Sequence, residues 1–206
     1  MAQKQTLDRL KKNREERIIE AACKVIKRSG FAQARIADIA AEADISYGLV
    51  YHYFRSKEEL FDAILDLWWG GLYEALDDAR KQELPIREKL SSVITYFLDQ
   101  YRERPDLVHI FVSEISRSTP NLTPERLGSF KKLMAYTESI IADAQKNGQL
   151  RGDIKARYLN YYFLSGIEGF VSTMVVESQA LKNRSQQERI TESLLELFLN
   201  GARPDQ

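Results

Sequence analysis

The chain has 206 residues, 44% hydrophobic and 29% charged, enough apolar matter for a packed core and one or two domains. Lys+Arg and Asp+Glu number 30 each, so the chain as a whole is neither a polybasic nor an acidic binder. A lone cysteine excludes an intramolecular disulfide and favours a reducing compartment. No apolar run suggests a signal peptide or a membrane span, so a cytoplasmic protein without membrane contact is expected.

The zero net charge hides an asymmetry. Residues 1–57 hold 12 Lys+Arg against 7 Asp+Glu, and residues 58–206 hold 18 against 23. The basic part is the part that a nucleic-acid footprint would occupy. Lys4, Arg9, Lys11, Lys12, Arg14 and Arg17 can form a flexible basic arm, centred on residues 1–12, or a solvated end of the chain. Asn13 and Glu16 have the spacing to cap a first helix. Its stripe is Ile18, Ile19, Ala22 and Ile26, with Cys23 beside it as a buried, inert thiol.

Residues 36–57, IADIAAEADISYGLVYHYFRSK, predict two short helices joined by a tight turn. Ile36, Ile39, Ala40 and Ala43 give the first helix one narrow apolar face. Asp44 sits where the chain reverses, and Asp tolerates a left-handed backbone better than most residues. Ile45 plugs the gap between the helices, and Ser46 caps the second. Val50 and Phe54 face inward, which leaves Tyr47, Gly48, Leu49, Tyr51, His52 and Tyr53 off the buried stripe. Such a surface is unsuited to solubility and suited to an anionic groove. A helix-turn-helix places its second helix in the DNA major groove. Arg35, Arg55 and Lys57 flank it, and most protein–DNA hydrogen bonds go to the backbone.

The run through Gly30-Phe31, Ile39-Ala40, Ala43-Asp44-Ile45-Ser46, Gly48, Tyr51, Tyr53-Phe54 and Lys57-Glu58-Glu59-Leu60 resembles the DNA-binding domain of the tetracycline-repressor (TetR) family. The likeness covers about the first third of the chain. Two positions depart from the family pattern: Asp44 stands where Gly is usual, and Ala34-Arg35 where a Thr or Ser is common. Arg35 replaces the missing hydroxyl with a longer, charged reach. The resemblance implies a DNA-binding set of Arg35, Ser46, Tyr47, Gly48, Leu49, Tyr51, His52, Tyr53 and Lys57. Tyr47, Gly48 and Leu49 are expected at base edges, and Tyr51, His52, Tyr53 and Lys57 on phosphates.

Helix follows helix in the remainder. Ser56 to Glu59 is a capping box that opens a helix to about Lys81, with Trp68, Trp69 and the pair Gly70-Gly71 inside it. Two interior glycines mark either a hinge or a close packing contact. Pro85 opens a helix with Leu90, Val93, Ile94, Phe97, Leu98 and Tyr101 on one stripe, and Pro105 a short one. Residues 116–121 break the pattern. Thr123-Pro124-Glu125 restarts it as far as Asn147-Gly148; Asp153 opens a helix to about Leu181; Ser185 to Glu188 boxes the last, which stops at Gly201. The expected fold is all-α with about nine helices. Residues 1–56 form a three-helix DNA-binding domain, and residues 57–206 a helical effector-binding and dimerisation domain.

Tyr158 to Val176 is apolar on more than one face. With Gly166, Gly169, Phe170, Leu194, Leu195 and Phe198 it predicts a paired-helix interface with a second copy of the chain. The resemblance points the same way and implies a small-molecule pocket among the middle helices. Trp68, Phe97, Tyr101, Phe111, Met134, Tyr162 and Phe163 are its candidate walls. Arg87 to Leu90, the stretch from Phe111 to Arg126, and Gly148-Gln149-Leu150 resemble the fatty-acyl-CoA-responsive branch; an aromatic or multidrug-type effector is the comparable alternative. The two histidines, His52 and His109, lie in no metal-binding or nucleophile motif. The expectation is a homodimeric, ligand-responsive regulator of an operator DNA, without catalysis, cofactor or metal. A helical protein-interaction module without DNA binding is the alternative.

Overall fold

The computed structural model describes residues 2–81, 83–116 and 123–202, with side chains from residue 12 onward except those of residues 115 and 116. Among these residues there are nine α-helices, one π-helical turn and no strand. In chain order they are α1 (Ala2–Gln33), α2 (Ile36–Glu42), α3 (Tyr47–Tyr53), α4 (Lys57–Lys81), α5 (Ile86–Glu103) and α6 (Pro105–Ile110). The π turn Phe111–Ser116 comes next, then α7 (Pro124–Lys146), α8 (Ala156–Val176) and α9 (Arg184–Ala202).

Side-chain caps open α3, α4, α7 and α9. Ser46 Oγ accepts the Leu49 N–H at 3.3 Å and opens α3. Ser56 Oγ accepts the Glu59 N–H at 3.0 Å, and the Glu59 carboxylate reaches back to the Arg55 N–H at 2.7 Å. Thr123 Oγ1 caps α7 through the Arg126 N–H. At α9 the expected box is displaced. Asn183 Oδ1 accepts the Gln186 N–H at 2.9 Å, and Gln186 Oε1 accepts the Lys182 N–H at 2.9 Å. Ser185 therefore lies inside the helix, because Asn caps as well as Ser and stands at the same spacing two residues earlier.

Other boundaries also move. Asn13 is interior to α1 and caps nothing, because the helix begins far upstream. α8 begins at Ala156 rather than Asp153, whose carboxylate is held by Arg151 through two contacts of 2.7 and 2.6 Å. It ends at Val176 rather than near Leu181, before Ser178 turns left-handed at φ 51°. Gly201 does not stop α9, which continues to Ala202. Of the expected break at residues 116–121, only Ser116 lies within the described residues, as the end of the π turn.

The head of the molecule is α1, α2 and α3, closed by the first turns of α4. Ile18, Ala22 and Ile26 of α1 pack with Ile39 of α2, Val50 of α3 and Leu60, Phe61 and Ile64 of α4, all buried. Full burial of such side chains contributes roughly 1.5–3 kcal/mol each. α4 continues into the body, where it packs against α5 and α7. Arg126 of α7 is buried against it, 2.7 Å from Asp62 with its guanidinium 4.7 Å from the Phe61 ring centre. α5 packs on α9, and α7 on α8.

Candidate DNA-binding face and effector cavity

The turn between α2 and α3 is closed by local backbone geometry. Asp44 is left-handed at φ 52°, where the sequence placed the reversal. The Ala43 carbonyl that ends α2 accepts a 2.8 Å bond from Arg17 of α1, a residue the sequence assigned to the basic arm. Arg17 thus ties α1 to the helix-turn-helix. The side chains of Lys4, Arg9 and Lys11 lie outside the described residues; Lys12 and Arg14 are exposed.

Val50 anchors α3 with no exposed surface, and the opposite face is open. Tyr47 is 53% exposed and Tyr51 41%. Their hydroxyls meet at 3.3 Å and their ring centres at 5.0 Å, so the two phenols form one ledge one helical turn long. The bonded Tyr47 hydroxyl raises the Tyr51 pKa, so Tyr51 remains a neutral donor. His52 is exposed, with its ring edge-on to Tyr53 at 5.4 Å. Tyr53 is half-buried against the core rather than free on the surface, and Leu49 is also half-buried. A Cβ added at Gly48 would meet nothing within 4 Å, so this glycine has no packing role among the described residues.

The cations around this face divide into two kinds. Arg35 and Arg55 are exposed, and their guanidinium groups meet no carboxylate among the described residues. Lys57 is differently employed. Its ammonium donates to the carbonyls of Phe31 at 2.8 Å, Ala32 at 3.1 Å and Ala34 at 3.2 Å, and lies 4.7 Å from the Phe31 ring centre. Those three bonds use all three of its donors. The residue expected on a phosphate thus clamps the link between α1 and α2 in the free chain, because the carbonyls ending α1 need donors that the helix cannot supply.

In the body, Trp68 and Phe111 stack at 4.4 Å, and Phe97 and Trp69 meet this pair edge-on at 5.4 Å each. They line a cavity of about 210 Å³ with Met134, Leu133 and Leu164, while Ser165, Glu168 and the partly exposed Phe130 supply its more open side. Both indole N–H groups are buried without an acceptor among the described residues. Four of the seven candidate walls therefore converge: Trp68, Phe97, Phe111 and Met134. Tyr101 does not join them. It lines a separate groove with His109 and Val112, and its hydroxyl bonds to the Met174 carbonyl at 3.1 Å and to the Gln179 carbonyl. Tyr162 and Phe163 belong to a third depression, on the α8–α9 side. All seven are aromatic or apolar, and a shared hydrophobic character does not report which helix face meets which.

That third depression is the edge where a second copy was expected. Gly166 and Gly169 are exposed and open, Phe170 and Leu194 are half-buried, and Tyr162 and Leu197 are 70% and 72% exposed. Leu195 and Phe198 are instead taken by the chain's own core, where Phe198 packs on Phe163 at 4.9 Å between ring centres. Leu197 is the residue that α9 turns outward.

Residues 18–64 match the family model of bacterial regulatory proteins, tetR family. Residues 18–64, from α1 into the first turns of α4, thus carry a tetR-family segment. Similar proteins cover most of the chain. The fatty acid metabolism regulator protein of Bacillus subtilis (strain 168) is 23% identical over 184 residues, 89% of this chain and 93% of that protein. The structure of the regulator FadR from Bacillus subtilis in complex with stearoyl-CoA superposes with a TM-score of 0.78, covering 90% of this chain and 98% of that one at 24% identity. AibR, in complex with isovaleryl coenzyme A and operator DNA, gives 0.65 over 89% of this chain and 97% of that one at 20% identity. At these identities the superpositions establish a shared fold across head and body. Among the described residues, no helix is long and apolar enough to cross a membrane, and no group of His, Cys, Asp and Glu could hold a metal ion.

Proposed function

We propose that this chain is a homodimeric transcriptional repressor that binds a palindromic operator and is released from it by a small hydrophobic effector. The observation that carries the reading is the open face of α3. Tyr47, Gly48, Tyr51 and His52 stand outward on a helix fixed by buried Val50 and capped by Ser46, and a Cβ at Gly48 would meet nothing among the described residues. One short helix reads one half-site, and a two-fold axis supplies the second. The α8–α9 edge with Gly166, Gly169 and Leu197 is the surface for that axis.

The proposed effector is an acyl group carried on coenzyme A, as in the two relatives solved with such ligands. At about 210 Å³ the cavity holds some seven water volumes of ~30 Å³. A short or branched acyl chain fits within that volume. A carbonyl oxygen on the occupant matches the two acceptor-free indole N–H groups. The Trp68–Phe111 stack favours a second candidate, a compact aromatic compound. Either ligand acts by preferring a state in which the two heads no longer match successive major grooves.

Both tryptophans of the chain line the cavity, so their fluorescence reports its occupant directly. Acyl-coenzyme A thioesters of increasing chain length are titrated against the protein and against its complex with labelled promoter DNA. The expected result is DNA binding that weakens steeply with salt, dimeric light scattering, and release of DNA at the ligand concentration that changes the fluorescence. DNA binding insensitive to salt, or release with no fluorescence change, contradicts the reading.

A further inference from the structure

Gly30 interrupts α1 with φ 75° and ψ 158°, and the amide of Phe31 that follows turns toward the body. It donates to Oε1 of Glu114, 83 residues away, at 3.3 Å. The same oxygen lies 3.5 Å from where a Gly30 Cβ would sit. Phe31 is also held from within the head. Its ring meets Phe61 at 4.3 Å, and its carbonyl and ring both face the Lys57 ammonium, which also holds Ala32 and Ala34. Ala34 directly precedes Arg35, the first residue before α2.

Glu114 stands on the π turn that Phe111 begins, three residues after the ring that stacks on Trp68 in the cavity wall. A π turn is an uncommon conformation that recurs at functional sites and carries one residue more than an α turn. Returning it to α geometry rotates the following side chains by about 100° about the helix axis. A shift of Phe111 thus has a short mechanical path to Glu114. Lys27 of α1 also meets Asp106 of α6 at 2.7 Å, but this pair is solvent-exposed and contributes little on its own.

We infer that Glu114 is a positioning residue for DNA binding: through the Phe31 amide it sets the Gly30–Phe31 turn and the Lys57 clamp, and an occupant that displaces Phe111 releases the head by breaking this bond. The inference rests on the effector-responsive reading above. The path differs from a tilt of α4 as a whole, because it enters the head through the end of α1.

The test needs neither operator nor effector for its first readout. Amide exchange of Phe31 is followed by NMR in the full-length free protein. Glu114→Ala removes the acceptor, Glu114→Gln keeps one, and Phe111→Leu removes the stack on Trp68. Glu114→Ala is expected to speed Phe31 exchange about tenfold, the scale of one hydrogen bond to a charged acceptor, while Glu114→Gln stays close to the parent protein. Phe111→Leu is expected to speed it in the parent and to add nothing in the Glu114→Ala background, the signature of two residues acting through one joint. Promoter affinity should follow the same order. Unchanged exchange in Glu114→Ala, or an equal effect of Phe111→Leu in both backgrounds, overturns the inference. Should Glu114→Ala fail to fold, Glu114→Asp keeps the charge and withdraws the acceptor by one carbon, with the same expected outcome. The expected exchange pattern in a protein that binds no DNA would overturn the regulator reading and with it the joint's role in DNA binding. Effector-released DNA binding without that pattern would overturn the joint alone.

Discussion

The Tyr96 hydroxyl occupies the space that a side chain at Gly71 would need. A Cβ there would lie 2.8 Å from the phenol oxygen and 3.1 Å from its ring, and the same hydroxyl donates to the Trp68 carbonyl at 2.8 Å. Burial pushes the Tyr96 phenol well above its usual range, so it remains a donor. The adjacent Gly70 is exposed, and a Cβ there would meet nothing within 4 Å. α4 runs through both as one helix. The two glycines therefore separate: one admits a tyrosine and the other admits nothing.

Gly71→Ala should accordingly destabilise the protein by roughly 1–3 kcal/mol, the cost of overpacking a filled contact. Gly70→Ala should stabilise it by up to ~1 kcal/mol through helix propensity. Thermal unfolding of the two single variants checks both signs. No loss from Gly71→Ala, or a large loss from Gly70→Ala, would contradict this division between the two glycines.

Lys57→Ala should weaken DNA binding without changing its salt dependence, because the ammonium is spent on three carbonyls of the α1–α2 link. The head should also unfold more easily, by about 1–2 kcal/mol after discounting for partial exposure. Arg35→Ala should do the reverse. It should leave unfolding unchanged and lower the slope of log affinity against log salt by about one unit. Binding isotherms at several salt concentrations, with unfolding curves beside them, separate the two roles.

Gly48→Ala should leave the free protein folded and slightly more stable, by up to ~1 kcal/mol, because the position is open. The same change should weaken operator binding severalfold by holding α3 off the groove. Mobility shifts on one promoter fragment measure it, and undiminished binding would remove close backbone approach from the account of α3.

Cys23 is buried at the foot of α1, and burial, with Asp106 adding to it, pushes its thiol from 9.0 up to about 12. The thiol should resist iodoacetamide at pH 8 in the folded protein and react after unfolding, as mass spectrometry would show. The folded pKa lies above the unfolded one. This contribution to stability is therefore fully present below about pH 9 and is lost as pH rises toward 12, by at most about 1.4 kcal/mol per pH unit.

The sequence by itself determined what depends on neighbours a few residues apart. The Ser46 and Ser56 caps, the left-handed Asp44, the buried Val50 and the stripes of α4 and α5 are all set by i to i+4 chemistry and a 3.6-residue period. Tertiary structure decided the assignments that need distant partners. Arg17 and Lys57 have the composition of DNA contacts, yet each finds a carbonyl 26 residues away. Glu114 meets Phe31 across 83 residues, with no sequence signal beyond a glycine before the amide. The aromatic residues of the body were legible as apolar but not as neighbours. Trp68, Phe97 and Phe111 close around one cavity while Tyr101 and Tyr162 face elsewhere, because helix crossing geometry, not composition, chooses which faces meet.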